Sequence, residues 1–222
     1  MIPKFEKGYC PNLLSWKEIS NLINIRPLMS ASRVRVFGEG TDTWKNNYWC
    51  TDANCYPSSL LEKIIEESGV CYFTDMSRAT KKINEFAKNL EDEYDQETDA
   101  HIYLCRNLKP VHPFEIHFDM SDNVIVQCEG TTNFKVWEAV SNPKELLKEK
   151  KDVKIKTDQE PILNVDMQPG DAIWIPRYYP HLATSHTKRL SVSFPFNRKI
   201  DNTRREDCLL YTSDAADDGV GV

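Results

Sequence analysis

Two histidines and one aspartate stand at spacings that suit a single metal ion. His117 and Asp119 form a His-x-Asp pair, and His181 follows 62 residues after Asp119. On a β-strand, residues i and i+2 project from the same face, so this pair can reach one ion. A second imidazole, from a distant strand, completes a set of two histidines and one carboxylate. Such a set leaves coordination positions open on non-haem Fe(II) for oxygen and a co-substrate, which implies oxygenase chemistry.

The stretch after the His-x-Asp pair keeps the spacing of the first cupin motif. Asn123 stands four positions past Asp119, where many cupins carry a glutamate ligand, and Gly130 stands seven positions further on. An asparagine in this position favours a hydrogen bond within the site over a bond to the metal. We therefore expect Asn123 to belong to the site without being a ligand.

The second cupin motif fits around His181. Gly170 is followed six residues later by Pro176 and five residues after that by His181, while Tyr178 replaces the inner glycine of the motif. Each histidine alone could be a buried structural residue or lie on an exposed loop. Two spaced motifs in the correct order, each with metal-ligating residue types, favour the metal site.

The composition is that of a soluble globular protein with one sizeable domain. The chain has 222 residues and a formal net charge of −6, which gives no electrostatic case for nucleic acid as a partner. No apolar run approaches the length of a membrane span, and residues 1–7 lack the apolar stretch of a signal peptide. We therefore expect a cytoplasmic protein without a membrane partner.

The last residues, 208–222, do not look like part of the folded domain. The run from Cys208 to Asp217 resembles a translated sequencing adapter, and the residues after it show no pattern that favours folding. We expect residues 208–222 to be a disordered scar. Without Cys208, the other cysteines form no Cys-x-x-Cys pair and no zinc-ribbon spacing, so neither a disulfide framework nor a structural zinc site is expected.

The pattern of residues 1–99 predicts a mixed, partly helical region that packs on a barrel. Capping boxes predict helices that begin after Ser15 and after Ser59. Apolar residues at helical spacing predict a third helix from Ser77 to about Leu90. Short strands are predicted as well, at residues 33–37 and 70–73.

Residues 100–207 predict a mainly β domain. Short β-rich runs separated by Gly, Pro, Asn and Asp are typical of a jelly roll or barrel. These runs cover residues 101–105, 123–127, 133–137, 172–175 and 190–194. One short helical insert is predicted at residues 142–148.

From about residue 100 to residue 197 the chain resembles the Jumonji-C, cupin-like oxygenases that use Fe(II) and 2-oxoglutarate, a family that includes asparaginyl hydroxylases and ribosomal oxygenases. Besides the His-x-Asp pair, the resemblance is carried by Gln127-Cys128-Glu129-Gly130, Phe134-Lys135-Val136-Trp137, Pro169-Gly170-Asp171, Ile175-Pro176 and Ser191-Val192-Ser193-Phe194. It implies a double-stranded β-helix core, of the cupin or jelly-roll kind, flanked by helices. It also implies Fe(II) bound by His117, Asp119 and His181, with 2-oxoglutarate as co-substrate and O2 as oxidant.

Members of this family often bind the far carboxylate of 2-oxoglutarate with a lysine or arginine two positions after the glycine that corresponds to Gly130. This chain has Thr132 there. Lys135 is near, but strand alternation puts it on the opposite face from Thr132 unless a bulge changes the register. Thr132 and Lys135 are both kept as candidates for co-substrate binding.

Arg189 is another candidate for binding the carboxylate. The sequence Arg189-Leu190-Ser191 resembles the Arg-x-Ser clamp that other 2-oxoglutarate oxygenases carry shortly after their distal histidine. An arginine fork suits a carboxylate, because two parallel N–H groups can donate to its two oxygens. The resemblance therefore implies a binding role for Arg189 and Ser191, and Tyr103 on the preceding strand could line the same pocket.

The resemblance predicts an enzyme that hydroxylates a peptide, a protein side chain or a small metabolite and releases succinate and CO2. Two alternatives stay open. Thr132 in place of a basic residue favours a metal-binding cupin without 2-oxoglutarate turnover, either a ligand-binding protein or an isomerase. A different metal enzyme, such as a cofactor-independent dioxygenase, would more naturally use three histidines and a glutamate. The oligomeric state also stays open, with a homodimer as one option.

Overall fold

Helix α1 (Trp16–Leu22) begins at the capping box that the sequence contains. The Ser15 hydroxyl accepts a hydrogen bond from the Glu18 N–H at 3.3 Å, and the Glu18 carboxylate accepts one from the Ser15 N–H at 2.9 Å. These two bonds satisfy backbone donors that the first turn would otherwise leave open. The predicted start of this helix is therefore confirmed. The structure is a computed structural model, and it describes residues 2–25, 34–37, 70–105, 116–143, 159–185 and 187–197.

Helix α2 (Lys81–Tyr94) lies a few residues further along the chain than predicted. Its N-cap is Thr80 instead of Ser77, because the Thr80 hydroxyl accepts the Ile83 N–H at 3.2 Å. The helix continues past Leu90 for one more turn, and Tyr94 in that turn stacks on Trp174 with ring centroids 4.7 Å apart. Its apolar residues at helical spacing form a buried face, since the helix buries Ile83, Ala87 and Leu90.

Eleven strands make up the rest of the regular structure in the described residues. They are β1 (Lys4–Glu6), β2 (Val34–Phe37), β3 (Val70–Phe73), β4 (Glu97–Thr98), β5 (His101–Cys105), β6 (Asn123–Glu129), β7 (Thr132–Val136), β8 (Leu163–Met167), β9 (Ala172–Ile175), β10 (His181–Ser185) and β11 (Arg189–Asn197). The larger sheet has the order β1-β9-β6-β11-β5-β3-β2, with β4 paired to the far end of β11, and the smaller sheet has the order β10-β7-β8. All of these pairings are antiparallel.

Alternate residues of the larger sheet serve two different cores. On one face, β6 and β11 contribute side chains that pack with α1 and α2, among them Val124, Val126, Leu190, Val192 and Phe194. On the other face, Ile125, Ile173 and Ile175 pack against Phe134, Val136 and Met167 of the smaller sheet. The interior between the two sheets is therefore apolar in part. On β11, the residues that alternate with Leu190, Val192 and Phe194 face this interior. These residues are Arg189, Ser191 and Ser193, and all three are buried.

Several predicted features lie outside the described residues. They are the helix after Ser59, the body of the insert at residues 142–148, and the segment 208–222. Four short strands, β1, β4, β8 and β10, were not predicted from the sequence. Neither helix in the described part of the chain is long and apolar enough to cross a membrane.

Candidate metal centre

His117 and His181 are joined directly through their backbones. They form an isolated antiparallel bridge, in which the His181 N–H donates to the His117 carbonyl at 2.8 Å and the His117 N–H donates to the His181 carbonyl at 3.3 Å. Directly opposed residues of an antiparallel pair project from the same face. The two imidazole rings are accordingly adjacent, with centroids 4.4 Å apart.

The prediction that the His-x-Asp pair lies on a regular β-strand is wrong. The bridge involves His117 only, and Phe118 and Asp119 lie outside the strands. The backbone of Asp119 is held instead by the turn before β10, because its carbonyl accepts the Tyr178 N–H at 2.9 Å. The bridge to His181 positions His117, and the hydrogen bond from Tyr178 positions Asp119, without a regular strand.

The structure brings the three predicted ligands together. His117, Asp119 and His181 each offer a ligand atom, and these atoms all lie within 4.8 Å of one another. The two carboxylate oxygens of Asp119 divide between the imidazoles, with Oδ1 4.0 Å from His117 Nε2 and Oδ2 3.7 Å from His181 Nε2. A metal with bonds of about 2.1 Å places neighbouring ligand atoms about 3–4 Å apart, so this donor set fits one ion.

His181 is prepared to act as a neutral ligand. Burial lowers its pKa, although the nearby Asp119 opposes this shift. Its Nδ1 lies 3.0 Å from the Tyr179 carbonyl, which can only accept, so Nδ1 must carry the proton. The lone pair of Nε2 is then left facing Asp119, and the backbone bond fixes the tautomer as it does for many metal-bound histidines.

The open side of the site is formed by the His-x-Asp pair. The side chains of His117 and Asp119 are 41% and 39% exposed, whereas that of His181 is 7% exposed. A metal held by these residues would therefore have protein on the His181 side and accessible space on the other. A molecule that approaches from solvent can reach this second side.

Asn123 orients the aspartate, as its place in the first cupin motif predicts. Its side-chain amide donates to Asp119 Oδ2 at 2.6 Å, and its carbonyl oxygen accepts a hydrogen bond from the Ser193 hydroxyl at 3.2 Å. Asn123 and Ser193 are both buried. The hydrogen-bonded chain Ser193–Asn123–Asp119 therefore fixes the orientation of the carboxylate whose oxygens lie near the two imidazoles.

Tyr178 keeps the backbone shape of the glycine that it replaces in the second cupin motif. Its φ is 68°, in the left-handed region that glycine occupies at lower cost. For a residue with a side chain, this conformation costs about 1–2 kcal/mol. The bond from its N–H to Asp119 and the bond that its carbonyl accepts from the Val140 N–H, both 2.9 Å, hold it in place.

Arg189 lies in the interior between the sheets, in what we call the arginine pocket, formed by Arg189, Ser191, Tyr103 and Phe134. Its guanidinium carbon is 5.8 Å from the ring centroid of Tyr103 and 5.7 Å from that of Phe134. Its Nε donates to the Ser191 hydroxyl at 3.1 Å. Burial lowers the pKa of Arg189 to about 10, which still leaves it charged at neutral pH.

No salt bridge joins Arg189 to a carboxylate of the described residues. Thr132 Oγ1 and Gln127 Oε1 are buried and have no hydrogen-bond partner among the described residues. Gln127 and Tyr103 lie directly opposite Ser191 on the two neighbouring strands, so a row of polar side chains crosses β6, β11 and β5. The buried guanidinium and the Thr132 hydroxyl can both donate to an anion in this interior, whereas the Gln127 amide oxygen can only accept.

The structure does not bring Lys135 to this interior. On β7 the residues Thr132, Phe134 and Val136 are buried, and Lys135 between them is partly exposed. The pairings of β7 with β8 and β10 show no register shift, so no bulge turns Lys135 around. Of the predicted co-substrate residues, Arg189, Ser191, Tyr103 and Thr132 face inward, and Lys135 faces away.

Sequence reasoning missed several residues of the site. Gln127, Phe134 and Ser193 stand in the motifs that carry the resemblance but were given no role in the site. Tyr72, which approaches Tyr103 from β3, was predicted only as part of a strand. One pattern could have found Ser193, since serine at alternate positions of an otherwise apolar strand, 191 and 193, indicates a polar inner face. The contacts of Gln127 and Tyr72 come from strands that are distant in sequence.

Comparisons with known proteins agree with this geometry. Residues 77–203 match the family model of the JmjC domain. The fold is similar to that of YcfD, a ribosomal oxygenase from Escherichia coli, with 15% identity and a TM-score of 0.61 over 99% of this chain and 54% of that chain. A structure of YcfD in complex with cobalt and 2-oxoglutarate gives 16% identity and a TM-score of 0.61, over 99% of this chain and 56% of that one.

A third structure, of YcfD with cobalt and succinic acid, gives 16% identity and a TM-score of 0.61, over 99% of this chain and 54% of that one. The chain thus spans about half the length of these proteins. At such identities the likeness shows the fold, and the predicted double-stranded β-helix core flanked by helices is confirmed. No curated protein matches the chain in sequence.

Proposed function

The chain belongs to the JmjC domain family, and from this premise we propose that it is an oxygenase dependent on Fe(II) and 2-oxoglutarate. It hydroxylates a peptide, a protein side chain or a small metabolite. The observation that carries the proposal is Arg189, a buried cation without a carboxylate partner among the described residues, in the same barrel as the His117, Asp119 and His181 cluster.

Arg189 is buried without a carboxylate partner among the described residues, and this favours the binding of an anion in the barrel. An ionised group that is buried without a counter-charge costs several kcal/mol, roughly, relative to water. A carboxylate that enters the arginine pocket would compensate this cost and could accept two parallel N–H bonds from the guanidinium. The Ser191 hydroxyl, 3.1 Å from Arg189 Nε, holds the fork in position.

The donor set of the metal centre fits Fe(II). Two imidazoles and one carboxylate that leave coordination positions open are the ligands of non-haem iron oxygenases. Bound iron would supply the activation of O2, coupled to the conversion of 2-oxoglutarate to succinate and CO2. The residues of the chain do the rest: Asn123 orients Asp119, the Tyr179 carbonyl fixes the tautomer of His181, and the apolar side chains around Phe134 exclude water.

The exposed side of the metal centre supports a substrate that approaches from solvent. His117 and Asp119 are open on that side, so a flexible peptide or a small molecule can place a C–H bond near the metal. YcfD is a ribosomal oxygenase, and a peptide or protein substrate is the class that this likeness favours for the present chain.

An anaerobic titration with Fe(II) and then 2-oxoglutarate tests the proposal. Chelation of the ketoacid to iron produces a visible charge-transfer band, which we expect for the wild type and not for His117→Ala. If Fe(II) binds tightly and no band develops at millimolar 2-oxoglutarate, the oxygenase proposal is wrong. The metal-binding cupin without 2-oxoglutarate turnover would then be the better description.

A further inference from the structure

An arginine and two aromatic residues lie next to Asp119, one of the two exposed ligands of the metal centre. Arg177 and Tyr178 belong to the turn before β10, and the Tyr178 N–H donates to the Asp119 carbonyl at 2.9 Å. The Tyr178 ring meets the ring of Phe118 edge to face, with centroids 6.2 Å apart. The guanidinium carbon of Arg177 lies 5.2 Å from the centroid of the Tyr178 ring. We call Phe118, Arg177 and Tyr178 the rim cluster.

The backbone of Tyr178 indicates that its side chain has a function. Its φ of 68° is one that glycine, the residue of the cupin motif at this position, adopts at lower cost. The hydrogen bonds to Asp119 and from Val140 use only the backbone of Tyr178, so a glycine could make them as well. Unfavourable backbone conformations of this kind cluster at functional sites. What Tyr178 adds to a glycine is its ring, which faces the guanidinium beside the metal centre.

Arg177 carries a positive charge that no carboxylate of the described residues compensates by a salt bridge. The carboxylate of Asp122 is near, but its Oδ1 accepts the backbone N–H of Arg177, at 2.8 Å. Phe118, Arg177 and Tyr178 are all partly exposed. A molecule that reaches the metal centre from solvent can therefore contact both the guanidinium and the aromatic rings.

We propose that the rim cluster selects a peptide substrate that has an aspartate or glutamate near the hydroxylated residue. The carboxylate of the substrate pairs with the Arg177 guanidinium, which can donate two parallel N–H bonds to it. The Tyr178 ring holds the guanidinium by a cation–π contact, and Phe118 adds apolar surface for the neighbouring part of the peptide. This inference rests on the proposed function, because the peptide is the substrate of that reaction, and it adds the acidic character of the peptide.

The net charge of the chain makes a non-specific preference for acidic peptides unfavourable. The formal net charge is −6, so the long-range field repels an acidic peptide. A preference for such a peptide must therefore come from a local cation. Lys135 provides a matched control, because it is a partly exposed cation on β7 that faces away from the barrel interior and lies outside the rim cluster.

Paramagnetic relaxation in the protein loaded with Mn(II) and 2-oxoglutarate tests the proposal without turnover. Mn(II) accepts the same carboxylate and imidazole donors, and it broadens the proton signals of molecules that bind close to it. The probes are two acetylated and amidated pentapeptides, Ala-Ala-Glu-Ala-Ala and Ala-Ala-Gln-Ala-Ala. We expect the glutamate peptide to be relaxed about fivefold more than the glutamine peptide, as for one partly exposed ion pair.

Variants of the rim cluster assign this preference to its residues. Arg177→Gln should abolish the preference, whereas Lys135→Gln, which removes the same charge elsewhere, should retain it. Tyr178→Phe keeps the aromatic face and should also retain it. Tyr178→Gly should lose most of the preference, although its melting temperature should be no lower than that of the wild type, because glycine adopts the left-handed φ at lower cost.

Three results would overturn the inference and leave the proposed function intact, provided that the charge-transfer band forms with Fe(II). The first is equal relaxation of the two peptides by the wild type. The second is a preference that survives in Arg177→Gln, as it would if the peptide carboxylate bound the metal itself. The third is an equal loss in Lys135→Gln, which would indicate a general effect of charge. Absence of the band in the wild type would refute the proposed function together with this inference.

Discussion

The metal centre and the arginine pocket lie in one barrel, but this chain follows the family pattern in the first and departs from it in the second. The metal centre keeps each ligand type at the family spacing, because three donor atoms must converge within 4.8 Å on one ion. In the arginine pocket the family's basic position after Gly130 holds Thr132, and the cation is Arg189 on β11 instead. A carboxylate needs only a donor that reaches it from some inward-facing position. If Arg189 binds the carboxylate as we propose, the positive charge should be movable to another inward-facing position, whereas the metal ligands should not.

Removal of a metal ligand should have the largest effect. In His181→Ala we expect no measurable Fe(II) binding, because the most buried of the three donors is lost and the remaining two are the exposed ones. Anaerobic Fe(II) binding, measured by metal analysis after gel filtration, checks this. Wild-type iron content in this variant would show that the metal is bound elsewhere.

Removal of the charge at Arg189 should weaken 2-oxoglutarate binding, and a new charge at position 132 should partly restore it. Arg189→Met should lower the affinity for 2-oxoglutarate by about 100-fold, the value of two charge-assisted bonds of about 1.5 kcal/mol each. The double variant Thr132→Lys with Arg189→Met returns a cation to the family position. We expect it to recover at least about tenfold, as measured by the charge-transfer titration.

The matched control is Thr132→Lys alone, which places a second cation near Arg189. Its expected effect is a lower melting temperature in the absence of 2-oxoglutarate, because two like charges are then buried together. If the double variant binds no better than Arg189→Met, the position of Thr132 does not reach the carboxylate.

Asn123 allows the two regions to be tested separately, since among the described residues its side chain hydrogen-bonds to Asp119 and Ser193, on the side of the metal centre. Asn123→Ala should lower the affinity for Fe(II) by about 10- to 100-fold, the usual range for a residue that orients a metal ligand. Once iron saturates the site, 2-oxoglutarate should bind as in the wild type. A loss of 2-oxoglutarate affinity at saturating iron would mean that the two regions are not independent.

Lys135 should show the smallest effect. Since β7 turns it away from the interior, Lys135→Met should change the affinity for Fe(II) and for 2-oxoglutarate by less than about twofold, within the ordinary range for a surface substitution. A large loss of 2-oxoglutarate affinity would assign the carboxylate to Lys135 and would contradict the role of Arg189.

Features set by nearby residues could be predicted from the sequence. Helix α1 starts where Ser15 and Glu18 cap each other three residues apart, and strands β5 and β9 have the predicted bounds. Strand β10 was missed because the sequence His181 to Ser185 has little β propensity. It is a strand because β7 pairs with every one of its residues.

Contacts between distant residues could not be predicted. Asn123 was expected to hydrogen-bond within the site, and it donates to Asp119, four residues earlier. Its second partner, Ser193, is 70 residues away, and the sequence does not indicate which residue it would meet. The same holds for Tyr72 and His101, which are 29 residues apart and meet only through the pairing of β3 with β5. The sequence therefore predicts which residue types the site contains, and the sheet decides which of them meet.

The most direct test compares two ketoacids in the anaerobic Fe(II)-loaded protein. 2-Oxoglutarate and 2-oxobutanoate share the group that chelates iron, and only the first has the carboxylate assigned to Arg189. We expect the wild type to prefer 2-oxoglutarate by about 100-fold, and Arg189→Met to bind both with the same weak affinity. A preference for 2-oxoglutarate that survives in Arg189→Met would contradict the assignment of the carboxylate to the arginine pocket.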